Sequence, residues 1–120
     1  MEDNRREQVE ALEVLVEFNE RLVKNVNILI KELSGARLED TDQFLKGIVD
    51  AMNWEIAVFN GTKEVLDESA ITIDKDEFNK KAIAVGNAIV AKDDNGMVKA
   101  FEEILPFFEK LGEAANTVIK

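Results

Sequence analysis

The sequence predicts an all-α protein, an antiparallel four-helix bundle whose last helix is kinked or split at Pro106. Three observations carry that reading. Apolar residues recur at spacings of three and four through every long segment, which turns one face of each helix toward a core. The connections between those segments are short, which favours antiparallel neighbours. No stretch reads as a β-hairpin, linker, repeat or low-complexity tract, and Ile71–Ile73 is too short to build a sheet. The 120 residues therefore suit one domain, 1–120, large enough for a single core.

The first helix is the longest. Leu12, Leu15, Asn19, Leu22, Val26, Leu29 and Leu33 form its seam, and Ser34-Gly35 supplies a stop. Asn19 is the polar residue on that seam, suited to setting register. Glu17 with Arg21, and Glu20 with Lys24, are spaced to pair on the outer face. Val9, Val16, Val23 and Ile30 flank the seam on one side; Val14, Phe18 and Ile28 widen it on the other.

The second helix is expected to begin around Glu39 to Thr41, with Leu45, Ile48, Met52, Ile56, Phe59 and Leu66 facing inward. On its opposite face a second stripe repeats at the same spacing: Gly47, Ala51, Trp54, Val58, Gly61 and Val65. Helices of a simple up-down bundle touch neighbours on adjacent sides, so opposed apolar faces call for a further explanation. Glycine inside a helix costs about 1 kcal/mol relative to alanine, which points to a packing reason for Gly47 and Gly61. Three readings fit the stripe: burial of a central helix, self-pairing across a two-fold axis, or a groove for a foreign amphipathic helix.

The third helix has the best-marked start. Asp74 is placed to cap it with Glu77 three residues on, and Ile73 with Phe78 are placed as a hydrophobic staple. Phe78, Ala82, Val85 and Ile89 continue its face. After the turn Lys92–Gly96, the residues Met97, Phe101, Ile104, Phe108, Leu111, Ala115 and Val118 define the last helix. Pro106 removes one backbone donor there and crowds the carbonyl of Glu102. The expected outcome is a bend, or a division into 97–105 and 107–119, with Phe107 and Phe108 filling opposite sides.

Composition excludes several chemistries. The chain has no cysteine and no histidine, so thiolate metal sites, thiol nucleophiles and the commonest general base are missing. Histidine-dependent helical families, such as phosphotransfer domains and di-iron bundles with Glu-x-x-His pairs, are ruled out with them. Acidic residues outnumber basic ones 25 to 15, for a net charge of −10. A field of that sign repels phosphate backbones and anionic lipid, so neither nucleic acid nor membrane is an expected partner. The opening MEDNRREQVE lacks an apolar signal core, and a cytoplasmic location is expected.

The segment AKDDNGMVKAFE, Ala91–Glu102, imitates a calcium loop, with Asp93, Asn95 and Gly96 at its third, fifth and sixth positions. Its first position is Ala91, where a carboxylate is required. No metal, cofactor or catalytic residue is therefore assigned, and the chain is expected not to be an enzyme.

The terminal stretch KDDNGMVKAFEEILPFFEKLGEAA resembles the last helix of small acidic helical-bundle flagellar export chaperones of the FliS type. The resemblance covers about a quarter of the chain. It implies a chaperone that clamps an amphipathic segment of an exported subunit, and it transfers no residue-level role. The expected function is thus a non-enzymatic helical protein-binding module, with a structural homodimer through the Trp54 face as the alternative. Gly47, Ala51, Trp54, Val58, Gly61 and Val65 are the candidate partner-binding residues.

Overall fold

The computed structural model describes residues 2–120, with side chains from Asn4 onward. Those residues form five α-helices in the order α1 (Glu2–Leu33), α2 (Thr41–Gly61), α3 (Lys63–Leu66), α4 (Lys75–Val90) and α5 (Asp94–Val118). At 1.5 Å per residue α1 is about 48 Å long, matching the longest dimension of the molecule, 48 Å. Among the described residues no helix is long and apolar enough to cross a membrane.

α1 lies between α2 and α5, and α5 in turn separates α1 from α4. Every seam residue of α1 is buried, Asn19 included. Against it pack Leu45, Ile48, Met52 and Phe59 from α2, and Phe101, Ile104, Phe108 and Leu111 from α5. Early residues of α1 meet late ones beyond α2. Gln8 accepts a hydrogen bond from the backbone of Val65 (3.3 Å), while Glu32 accepts one from Thr41 (2.8 Å). α1 and α2 therefore run antiparallel.

Local chemistry sets the boundaries. The buried Thr41 hydroxyl accepts from the Leu38 backbone and donates to Glu32, so it ties the α1–α2 turn to α1. Asp74 accepts a hydrogen bond from the Glu77 backbone at 3.1 Å and so caps α4. At the other end of α4, Lys92 takes a left-handed φ of 54°. There the amide of Asp93 reaches Ala88 and that of Lys92 reaches Ile89, a Schellman closure.

Three details differ from the expectations: the end of α2, the division of the last helix that stood beside a bend as an outcome at Pro106, and the placing of Phe107 and Phe108. α2 does not run on to Leu66; it ends at Gly61, where buried Thr62 turns its hydroxyl back onto the Val58 carbonyl (2.7 Å). α3 is a separate single turn. The last helix also does not split, because α5 is continuous through Pro106. Pro106 and Glu102 are both exposed, so the carbonyl that loses its donor lies on the solvated side of the helix, where water can replace it. Phe107 and Phe108 do not part across a bend either. Both touch Phe78 of α4, Phe107 stacked at 5.4 Å and Phe108 edge-on at 5.1 Å. Phe59 of α2 joins the same cluster, 5.3 Å from Phe78.

Candidate functional site

The outer side of the α1–α2 pair carries an open, mostly apolar groove of about 780 Å³. Its α1 wall is Phe18, Arg21, Leu22 and Asn25. Its α2 wall is Phe44, Gly47, Ile48, Ala51 and Trp54. The groove exists because α2 seats its core ridge on α1 while presenting small residues beside that ridge. An added β-carbon at Gly47 would meet nothing within 4 Å. No other described residue fills the notch that glycine leaves.

Two aromatic rings close one end. Phe18 and Trp54 meet edge to face with centroids 6.0 Å apart, yet they remain 45% and 40% exposed. That much aromatic surface in contact with water is an unpaired apolar cost, worth some tenths to a few kcal/mol per side chain on burial. The Arg21 guanidinium stands over the Phe18 ring, 5.2 Å from its centroid. Asp40 and Gln43 border the opposite end.

Glu55 also lines the groove, although the residue is only 1% exposed. Its Oε1 accepts a 2.8 Å hydrogen bond from Asn19 Nδ2. The same nitrogen donates to the Phe108 carbonyl at 2.9 Å, linking α1, α2 and α5 through one side chain. Glu55 Oε2 is buried and has no hydrogen-bond partner among the described residues. Burial pushes the Glu55 carboxyl up to about 7, with the Asn19 hydrogen bond pulling the other way.

The six residues marked on the second helix do not stay together. Gly47, Ala51 and Trp54 line the groove. Val58 and Gly61 border a separate, shallower depression of about 270 Å³ against Gln8 and Ala11 of α1. Val65 is 2% exposed and belongs to the core. The break at Thr62 starts a new helix direction, so the 3–4 spacing no longer carries Val65 to the outer face.

Glu55 was not among the marked residues, although a signal was present. Counting 48, 52, 55 and 59 keeps the spacing of four and three, and this puts Glu55 on the buried ridge. Ile56, expected inside, is only partly buried. Phe18 completes the groove from the first helix, where its apolar strip lies just off the seam.

Within the calcium-like segment, Asp94 is engaged in an ion pair. Arg37 forks onto Asp94 with contacts of 2.6 and 2.9 Å and also reaches Asp42 at 2.8 Å. The Arg37 hydrogen bond holds the Asp94 carboxyl below the usual carboxylate range. Among the described residues, no three acidic side chains converge on a point that could hold a metal ion.

No curated protein and no solved structure matches the chain. A family model does, over residues 10–114, covering both walls of the groove, Glu55 and Asn19. The chain belongs to that family, a domain of unknown function (DUF8042).

Proposed function

We propose that this protein is a non-enzymatic binding module whose four long helices act as an antiparallel bundle, and that the α1–α2 groove receives an amphipathic helix of a partner protein. The observation that carries the reading is the open apolar groove itself, bounded by half-exposed Phe18 and Trp54. Helix-in-groove recognition needs an apolar trough with room for a backbone to approach. Gly47 and Ala51 provide that room on the α2 side. From Asp40 to Glu55 the trough follows α2 for about 22 Å, roughly four turns of a docked helix. An export-type chaperone, holding an exposed helix of a subunit until assembly, is the form of this function that the resemblance of the last helix suggests.

A homodimer through the Trp54 face is the second reading, favoured by the same exposed rings. A net charge of −10 on each copy opposes it. Light scattering across micromolar concentrations separates the two. A mass near 13.5 kDa at all concentrations leaves the groove free for a partner. A stable dimer that Trp54→Glu converts to folded monomer supports self-pairing and removes the motive for a foreign helix.

A further inference from the structure

We propose that Glu55 is the specificity anchor of the groove, and that the helix it receives is a basic one that lowers a lysine from its apolar face onto the free Oε2. This deepens the binding reading above and rests on it. Three observations support it.

The first is the orphaned oxygen. A buried acceptor without a partner is destabilising, and more so when charged. Glu55 Oε1 is satisfied by Asn19, but Oε2 has no hydrogen-bond partner among the described residues. The second is location. Glu55 lies among the groove-lining residues and next to Trp54 in sequence, so the unsatisfied carboxyl borders the space a docked helix would occupy. Burial raises the carboxyl pKa to about 7, so the group keeps its proton below neutrality and is an ionised acceptor for a cation only above it.

The third is charge complementarity. The chain is strongly acidic, and the groove adds Asp40 at one end. Arg21 is the one cation among the lining residues, and it is held over Phe18. A basic amphipathic helix is steered toward such a surface, and an acidic one is repelled. A second copy of this chain brings further acidic charge rather than the missing cation.

A lysine suits the position because its four-carbon stem can lie along the apolar walls while one ammonium is delivered at the floor. Replacing it by norleucine keeps the stem and removes the ammonium.

The experiment uses the full chain at pH 8 and two 18-residue Ala/Leu amphipathic peptides. They differ only in one central apolar-face residue, lysine or norleucine, and contain no tryptophan. Trp54 is the sole tryptophan of the protein, so its emission reports groove occupancy directly. The expected result is a roughly tenfold tighter Kd for the lysine peptide, against the order of hydrophobicity. Glu55→Gln should abolish that preference; if it does not fold, Glu55→Met supplies the same comparison without a carboxyl. Equal binding, or tighter binding of the norleucine peptide, overturns the anchor while leaving the groove reading in force. A lysine preference that survives the loss of the carboxyl also overturns the assignment to Glu55. If neither peptide perturbs Trp54, both the anchor and the groove reading fall.

Discussion

The Asn19 carboxamide of α1 packs so closely over Gly112 of α5 that a β-carbon on residue 112 would collide with its Oδ1. This close approach lets Nδ2 reach both Glu55 and the Phe108 carbonyl. Three helices are thereby keyed together at one level by a single polar side chain.

Gly112→Ala should therefore be destabilising despite alanine's better helix propensity. A loss of about 2–3 kcal/mol in urea unfolding is expected, because the clash displaces Asn19 and unpairs Glu55. Asn19→Ala alone should cost about 2 kcal/mol by leaving both Glu55 oxygens without donors. In the double variant the two effects should not add, since the clash vanishes with the carboxamide. Strict additivity would refute the contact.

Stability should fall as pH rises from about 4.5 to about 7 and then level off. The Glu55 carboxyl is raised from 4.5 to about 7 in the folded state. Below 4.5 both states carry the proton. Between about 4.5 and 7 the unfolded chain releases it while the folded chain keeps it, so unfolding becomes progressively easier. The loss by pH 8 should be about 3 kcal/mol. Glu55→Gln should flatten this slope in denaturant titrations at pH 4.5, 6 and 8. Asp94 and Glu68, both lowered by arginine partners, act in the opposite sense, their contribution fading only as pH falls below the usual carboxylate range.

Trp54→Glu should keep the helical circular dichroism and change the melting temperature by only a few degrees, because the ring is 40% exposed and outside the core. Association with a helical partner should be lost. Unfolding of this variant would place Trp54 in the core and remove the groove reading.

Gly47→Ala separates stability from binding. With no described atom within 4 Å of the added β-carbon, the free protein should gain about 1 kcal/mol from helix propensity. A docked backbone passing over residue 47 would meet the new methyl, so affinity for a helical partner should drop. A gain in both quantities would exclude close approach at this position.

Lys92→Gly should stabilise the protein by about 0.5–1 kcal/mol. Lys92 holds a left-handed φ of 54° at the end of α4, a conformation glycine adopts without steric penalty. Thermal melting at fixed pH measures it.

Most of the helical content and the core seams were legible in the sequence because they depend on local periodicity. The alternation Leu12, Leu15, Asn19, Leu22, Val26, Leu29 and Leu33 identifies one face of a helix whatever packs on it, and all seven residues are buried. The Asp74 cap was legible for the same reason, since its bond to Glu77 spans three residues. Trp54, Ala51 and Gly47 could be marked as a surplus face from spacing alone.

Tertiary structure decided the rest. Val65 left the stripe because Thr62 bonds back to Val58 and ends α2, a choice of side-chain rotamer that periodicity does not encode. α5 stayed whole at Pro106 because the crowded carbonyl faces solvent, which depends on how α5 is rotated against α1 and α4. Glu55 became a buried acid, and Gly112 an obligatory glycine, only when Asn19 arrived from another helix. A sequence specifies which faces are apolar through short-range repeats. Which side chains meet across helices depends on packing between residues 36 and 89 positions apart, as Asn19 is from Glu55 and Phe108, and there the groove and its half-satisfied carboxyl were made.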